Sequence, residues 1–183
     1  MSSTEQEQGL QLPEHVTKLL KSKRYVHLAT SKDNVPHASL MNYTYYSKND
    51  KPYIIISTPR ETTKYRNIEA NGNVSLLIHD WVAGDEEVAP TGRRNSLYEL
   101  LANMNKAEIR SVSVMLNGRA RIIDPKTEEN DYKFYKSLHL NNGLVDEAQA
   151  ETFISNECNS VVLITVDSCQ ITNTNNEVQT YEL

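Results

Sequence analysis

The sequence lacks the features that mark membrane and secreted proteins. Its 183 residues include no run of about 18 apolar residues, the length needed to cross a bilayer. The first residues, MSSTEQEQG, have neither the basic start nor the apolar segment of a secretion signal. We therefore expect a soluble intracellular protein, located in the cytoplasm, with the nucleus as an alternative.

Cysteine and histidine are also too scarce to indicate a metal centre. The two cysteines, Cys158 and Cys169, form no CxxC motif, and the reducing interior of a cell favours free thiols. The five histidines lack the HExxH spacing of zinc hydrolases and the close acidic partner of a catalytic triad. We expect no metal, and the sequence does not identify a catalytic residue.

Positive charge is in deficit. Lysine and arginine number 19 against 24 aspartates and glutamates, which gives a formal net charge of -5 and does not favour nucleic-acid binding.

The length fits one compact domain. Residues 1–11 are predicted to be a disordered tail, and residues 12–183 a single domain with an inserted loop and helix at about 81–107.

Hydrophobic patterning predicts a mostly β chain with helical decoration. Pro13 is expected to start a short helix with Val16, Leu19 and Leu20 on one side. Later helices are predicted at SLYELLANMN, KTEENDYKFYKSLH and DEAQAETFIS. The predicted strands are RYVHLAT and HASLMNYTYY, which form a hairpin, then PYIIIS, NVSLLIHD, a pair within RSVSVMLNGRARIID, and SVVLITVD. Six or more strands with few helices between them favour a β-barrel over a parallel α/β sheet.

Two segments carry more specific expectations. The isoleucine run in PYIIIS is typical of a strand buried on both faces, and Gly118 permits a bulge or bend. In TPRETTKYRNIEANG, Thr58 and Glu61 fit a capping box around Pro59, with Thr62 as an alternative helix start, and the NG pair fits the stop.

Hydroxyl groups and a positive charge gather at this helix start. Thr62, Thr63 and Lys64 present two hydroxyls and an ammonium within one turn. The free backbone N–H groups of a helix start, the helix dipole and a positive side chain all favour a phosphate dianion. The alternative is that Thr62 only caps the helix and that Lys64 points to water.

The order of the segments carries a resemblance to a known family. The chain reads YVHLAT, a turn, VPHASLMNYTYY, and then YIIISTPRETTKYRNIEANGNVSLLIHD. This order resembles the pyridoxamine 5′-phosphate oxidase-like family of flavin-binding split barrels, and VMLNGRARIID and SVVLITVD fit that family's closing strands. The inserted DWVAGDEEVAPTGRRNSLYELL segment and the overall sequence are similar to uncharacterised fungal (yeast) members. The resemblance implies a split β-barrel, a homodimer, and flavin mononucleotide (FMN) at the dimer interface.

The resemblance also implies cofactor-binding residues. Lys64 takes the position of the family's phosphate-binding lysine, while Thr63 and Ser39 stand where the oxidases carry arginines. The full implied set is Ser39, Leu40, Met41, Asn42, Ser57, Thr58, Thr62, Thr63, Lys64 and, from the partner chain, Ser113. Leu40 and Met41 fit the surface under the flavin ring, although alternate apolar residues on a strand are ordinarily core.

Three functions are consistent with this resemblance. The first is an FMN-dependent oxidoreductase of unknown substrate. The second is a noncatalytic flavin carrier or a cofactor-free dimeric interaction module, which the two missing arginines favour unless Arg60, Arg66 or a partner residue compensates. A true pyridoxamine 5′-phosphate oxidase ranks lowest. Such oxidases end in a motif with arginine and histidine, whereas this chain has neither after His139.

Overall fold

The computed structural model describes residues 11–23, 25–82, 110–142, 159–173 and 175–183. The strands are β1 (Tyr25–Lys32), β2 (Val35–Asn42), β3 (Thr44–Lys48), β4 (Lys51–Pro59), β5 (Asn73–Val82), β6 (Arg110–Ile122), β7 (Asn159–Thr172) and β8 (Val178–Glu182). The helices are α1 (Glu14–Ser22), α2 (Thr63–Ala70) and α3 (Glu129–Asn141). The mostly β architecture predicted from the sequence is confirmed. No helix in these ranges is both long and apolar enough to span a membrane.

All eight strands form one antiparallel sheet. Its order is β2-β1-β5-β6-β7-β4-β3, and β8 pairs with the part of β7 that lies beyond β4. The two ends of this order, β2 and β3, are joined in the chain by Tyr43 alone, so the sheet must curl round to bring them together. β2 contacts β4 without pairing with it, and the barrel is therefore not closed. This is the predicted split β-barrel.

The break between β2 and β3 was not predicted. HASLMNYTYY was expected to be one strand, because its high β propensity continues through YTYY. In the structure Tyr43 leaves the ladder, is 2% exposed, and donates a hydrogen bond to the Leu20 carbonyl of α1 at 2.8 Å. The β1–β2 hairpin itself is confirmed, and its turn has positive φ at Asp33 and Asn34, as a type I′ turn requires.

The later strands are longer than predicted. RSVSVMLNGRARIID forms one strand, β6, rather than a pair, with a register shift between Asn117 and Gly118. A Cβ at Gly118 would lie 2.1 Å from the Thr165 carbonyl oxygen. The backbones of β6 and β7 therefore approach so closely at the predicted bulge that a side chain at residue 118 would clash. β7 continues to Thr172, and the polar ending contains β8. β8 was not predicted because it lacks an apolar pattern, and its backbone pairing with β7 forms the strand instead.

The core has two parts, separated by β4. As predicted, this strand is buried on both faces: Ile54 and Ile56 belong to the main core inside the barrel, and Ile55 belongs to a second core. That second core also contains Ile123, Val161 and Leu163 and is covered by α3 through Tyr132, Tyr135 and Leu138. Burial of each such isoleucine is worth about 1.5 to 3 kcal/mol.

Helices α1 and α3 confirm the helices predicted after Pro13 and at KTEENDYKFYKSLH. Val16 and Leu20 of α1 are 0% and 1% exposed in the main core, and Leu19 packs against it. The predicted insertion helix, the helix at DEAQAETFIS and all of the predicted tail except residue 11 lie outside the described residues.

Candidate functional site

Helix α2 begins at Thr63, with Thr62 as its N-cap. The Thr62 hydroxyl accepts a hydrogen bond from the Tyr65 amide at 3.4 Å and donates to the Pro59 carbonyl at 2.8 Å. The alternative start is therefore confirmed, and the capping box around Pro59 is wrong because Thr62 satisfies the free amide of the first turn. The helix ends at Ala70, with Asn71 as its C-cap, which confirms the predicted stop.

A hydroxyl contact joins the end of β4 to this helix start. Thr58 is fully buried, and its Oγ1 lies 3.0 Å from Thr62 Oγ1. Ser57 is partly exposed and, by strand alternation, lies on the opposite face of β4. The two predicted β4 residues are thus on different sides of the strand, and Thr58 contacts the start of α2.

Lys64 is a partly buried cation on the first turn of α2. Burial lowers the pKa of its ammonium below the usual lysine value. It makes no hydrogen bond or ion pair with any residue that the structure describes, and its neighbour Thr63 is exposed. A partly desolvated ammonium without a counter-charge, at the positive end of a helix, is suited to holding an anion.

Two buried polar atoms without a hydrogen-bond partner lie on β2. They are His37 Nδ1 and Ser39 Oγ. These residues pair with Thr30 and Leu28 of β1, and Asn67 of α2 donates a hydrogen bond to Thr30 Oγ1 at 3.1 Å. Because α2 also contacts β2 and β4, both atoms lie on the face of β2 that α2 covers. An unsatisfied buried polar atom costs about 1 to 3 kcal/mol, so a bound ligand that bonds to it gains binding free energy.

The other predicted residues are divided between two faces of the sheet. Met41 is 9% exposed and belongs to the main core on the same face as Ser39. Leu40 is 59% exposed on the opposite face, and Asn42 shares that face by alternation. Ser113 of β6 pairs with His79 of β5, whose ring packs against that of His27 on the same outer face. The structure therefore places Thr58, Thr62 and Lys64 at the start of α2 and Ser39 on the face of β2 that α2 contacts, and it places Leu40, Asn42 and Ser113 on the other face of the sheet.

His37 is the candidate residue that sequence reasoning missed. The signal was its i, i+2 spacing from Ser39, which puts both side chains on one face of a strand. Its unpartnered Nδ1 is visible only in the structure.

The outer face of β2, β1 and β5 carries an exposed group of apolar and aromatic side chains. We name it the outer patch, and it consists of Tyr25, His27, Leu40, Leu77 and His79. Tyr25, Leu40 and Leu77 are 52%, 59% and 41% exposed, and the two histidine rings stack with centroids 5.7 Å apart. Exposed apolar groups of this kind mark surfaces that another molecule covers.

Two open grooves occur elsewhere on the chain. One of about 420 Å³ lies between α1 and the β3–β4 hairpin, and another of about 500 Å³ lies beside the bulge at Gly118. Neither includes Ser39, Thr58 or Lys64.

The described ranges contain no group of three side chains suited to a metal. Cys169 is buried and free, and Cys158 lies outside the described ranges.

Comparison with known proteins shows the family of the chain. Residues 12–153 match the sequence model of the family described as pyridoxamine 5′-phosphate oxidase. The chain belongs to the pyridoxamine 5′-phosphate oxidase family. A pyridoxamine 5′-phosphate oxidase homolog from Saccharomyces cerevisiae is 34% identical, with 90% of this chain and 92% of that protein covered. A second homolog, from Schizosaccharomyces pombe, is 35% identical, with 88% and 85% covered. The fungal resemblance seen in the sequence is confirmed.

Solved structures support the same pyridoxamine 5′-phosphate oxidase fold. A heme-binding protein from Mycobacterium smegmatis matches with a TM-score of 0.62 at 17% identity, over 92% of this chain. This chain spans 57% of the length of that protein. A FAD-binding protein from Mesorhizobium loti matches with a TM-score of 0.52 at 17% identity, over 87% of this chain and 94% of its own length. At these identities the likeness shows the fold alone.

Proposed function

We propose that this chain binds FMN, with the flavin phosphate at the start of α2, and acts as a flavin-dependent oxidoreductase. Two observations carry the proposal: the partly buried Lys64 ammonium on the first turn of α2, and the buried Ser39 hydroxyl on the face of β2 that α2 contacts, neither of which has a partner among the described residues. When bound, FMN supplies hydride and electron transfer, and the protein contributes position and electrostatics.

The residues around α2 fit a phosphate group. Lys64 provides the charge, Ser39 a hydroxyl donor, and the first turn of α2 its free backbone N–H groups. Thr62 serves the site indirectly, since its hydroxyl caps the helix and holds Thr58. The aromatic ring system of a flavin needs an apolar surface. Leu40 of the outer patch offers this surface to a ring that extends round the edge of β2.

Arg60 and Arg66 both make hydrogen bonds within the chain. Arg60 donates from Nε to Ser160 Oγ at 3.1 Å, and Arg66 donates to the Glu61 carbonyl at 3.2 Å. The proposal therefore assigns the phosphate charge to Lys64. The two arginines that Ser39 and Thr63 replace favour the alternative function, a flavin carrier or a cofactor-free dimeric module, and a low measured FMN affinity supports that alternative.

A homodimer is part of the proposal. Leu40 and Leu77 of the outer patch are exposed to solvent. In a dimer with a twofold axis, the outer patch of one copy packs against the outer patch of the other. Ser113 stands on that outer face next to the His27–His79 stack, so a dimer formed there presents it to the partner chain. The cytoplasm, with the nucleus as an alternative, remains our prediction for its location.

Oxidation of pyridoxamine 5′-phosphate itself is the least favoured function. The family's terminal substrate-binding arginine and histidine are absent, and the last residues form β8, an edge strand paired with β7. A substrate other than a vitamin B6 phosphate is therefore proposed.

Titration with FMN and riboflavin tests the phosphate site. We expect Lys64→Ala to weaken FMN binding by about 10- to 100-fold while riboflavin binding stays the same, because only FMN carries the phosphate. The matched control is Lys18→Ala, an exposed lysine of α1 that pairs with Glu14. Equal FMN affinity in Lys64→Ala and wild type contradicts the assignment. Parallel titrations with FAD and heme show which cofactor the barrel prefers.

A further inference from the structure

The imidazole of His37 is a second unexplained polar group beside the proposed phosphate site. Its Nδ1 is buried and has no hydrogen-bond partner, exactly two residues from the equally unpartnered Ser39 Oγ. His37 is only partly exposed, and it pairs with Thr30, the residue that anchors α2 through Asn67. The ring therefore lies on the face of β2 that α2 covers.

The two groups are neighbours on one face of β2. Residues i and i+2 of a strand are about 6.6 Å apart at the backbone, and their side chains point to the same side, so both can contact one ligand. A single anion can therefore satisfy both atoms, whereas neither finds a partner within the described part of the chain.

We propose that His37 is a ligand of the flavin phosphate, donating from Nδ1 alongside Ser39 and Lys64. The inference rests on the proposed FMN site and adds a residue to it. In the resemblance drawn from the sequence, Ser39 replaces an arginine, which removes a charge from β2. His37 offers a replacement hydrogen-bonding group two residues earlier on the same face.

The elements packed against β2 carry more basic than acidic side chains. Their titratable side chains are Tyr25, His27 and Lys32 on β1, Lys51 and Tyr53 on β4, and Lys64, Tyr65, Arg66 and Glu69 on α2. Of these, Tyr25 and His27 lie on the face opposite to His37. The excess of positive side chains on these elements favours an anionic ligand.

Two variants of the full chain test this role. His37→Ala removes the donor, and His37→Asn keeps a neutral donor near the position of Nδ1 without a titratable group. We expect His37→Ala to weaken FMN binding by about 10- to 100-fold and to leave riboflavin binding unchanged. For His37→Asn, which keeps a donor, we expect an FMN affinity between those of the wild type and His37→Ala.

The outcomes separate this inference from the proposed function. Wild-type protein that binds no FMN overturns the proposed function. FMN binding that is tight in the wild type and unchanged in both His37 variants overturns the role of His37 and leaves Lys64 in place. Thermal unfolding of each variant shows whether it is folded. Equal weakening of FMN and riboflavin binding in a folded His37 variant also contradicts a phosphate contact.

Discussion

Asn67 on α2 donates a hydrogen bond from Nδ2 to the hydroxyl of Thr30 on β1 at 3.1 Å, and the two residues are 4% and 3% exposed. This side-chain bond holds the helix on the inner face of the first hairpin. Thr30 is the cross-strand partner of His37, so the same contact fixes the distance between the helix start and β2. The proposed phosphate site depends on it.

A double-mutant cycle on this pair measures its contribution to stability. Asn67→Leu or Thr30→Val alone leaves one buried polar group unpaired, and we expect each to lower the free energy of unfolding by about 1 to 3 kcal/mol. The double variant is expected to lose less than the sum of the two, because neither polar group remains. Urea denaturation provides the measurement, and strictly additive losses contradict the coupling.

His139 predicts a pH dependence of stability. It lies on α3, 3% exposed, with Nδ1 2.8 Å from Thr44 Oγ1, and burial lowers its pKa from 6.5 to about 4. The unfolded chain therefore takes up a proton at a higher pH than the folded chain. The contribution of neutral His139 to the free energy of unfolding is fully present above about pH 6.5. It is lost, by up to about 1.4 kcal/mol per pH unit, as the pH drops to about 4.

The matched variants isolate this effect from the carboxylates. His139→Gln is expected to be less stable than the wild type at neutral pH, and its stability should fall less steeply between about pH 6.5 and about 5. His15→Gln, an exposed residue of α1, should keep the wild-type slope. Equal slopes in the wild type and His139→Gln contradict a neutral buried His139.

Gly118 predicts a steric limit in β6. Its Cβ would meet the Thr165 carbonyl oxygen at 2.1 Å, whereas a Cβ at Gly72 would lie 2.8 Å from the Ala120 carbonyl oxygen. We expect Gly118→Ala to lower the free energy of unfolding by about 1 to 3 kcal/mol or more, and Gly72→Ala to cost less. Thermal unfolding of the two variants checks the order, and the reverse order argues against the bulge geometry.

The outer patch predicts the dimer surface. Leu77→Asp places a charge in the centre of that face, and we expect it to shift the protein from dimer to folded monomer in analytical ultracentrifugation. Val35→Asp is the control, since Val35 is 66% exposed at the β1–β2 turn and lies on the face of β2 opposite to Leu40. A wild-type monomer, or a Leu77→Asp dimer, contradicts the proposed interface.

The sequence predicted those features of the fold that local pattern determines. The run of Ile54, Ile55 and Ile56 indicated a strand buried on both faces, and Gly118 indicated the bulge. Features set by tertiary contact were missed. Tyr43 ends β2 because its hydroxyl reaches α1, and β8 forms from polar residues because β7 offers a free edge. Neither cause is visible in local propensity.

For the candidate site, the resemblance located the helix start but not the faces of β2. Four consecutive residues, 39–42, were expected beside the flavin, yet alternation along a strand places Leu40 and Asn42 opposite to Ser39 and Met41. Which face meets α2 depends on the Asn67–Thr30 bond, a contact between segments 37 positions apart. His37 could be recognised only once that face was known.

The most direct test of the account is a visible absorption spectrum of the purified full chain after incubation with excess FMN and desalting. The account predicts a retained flavin band, shifted from that of free FMN, at one flavin per chain. A colourless protein after the same treatment contradicts FMN binding and leaves the cofactor-free dimeric module as the function of this barrel.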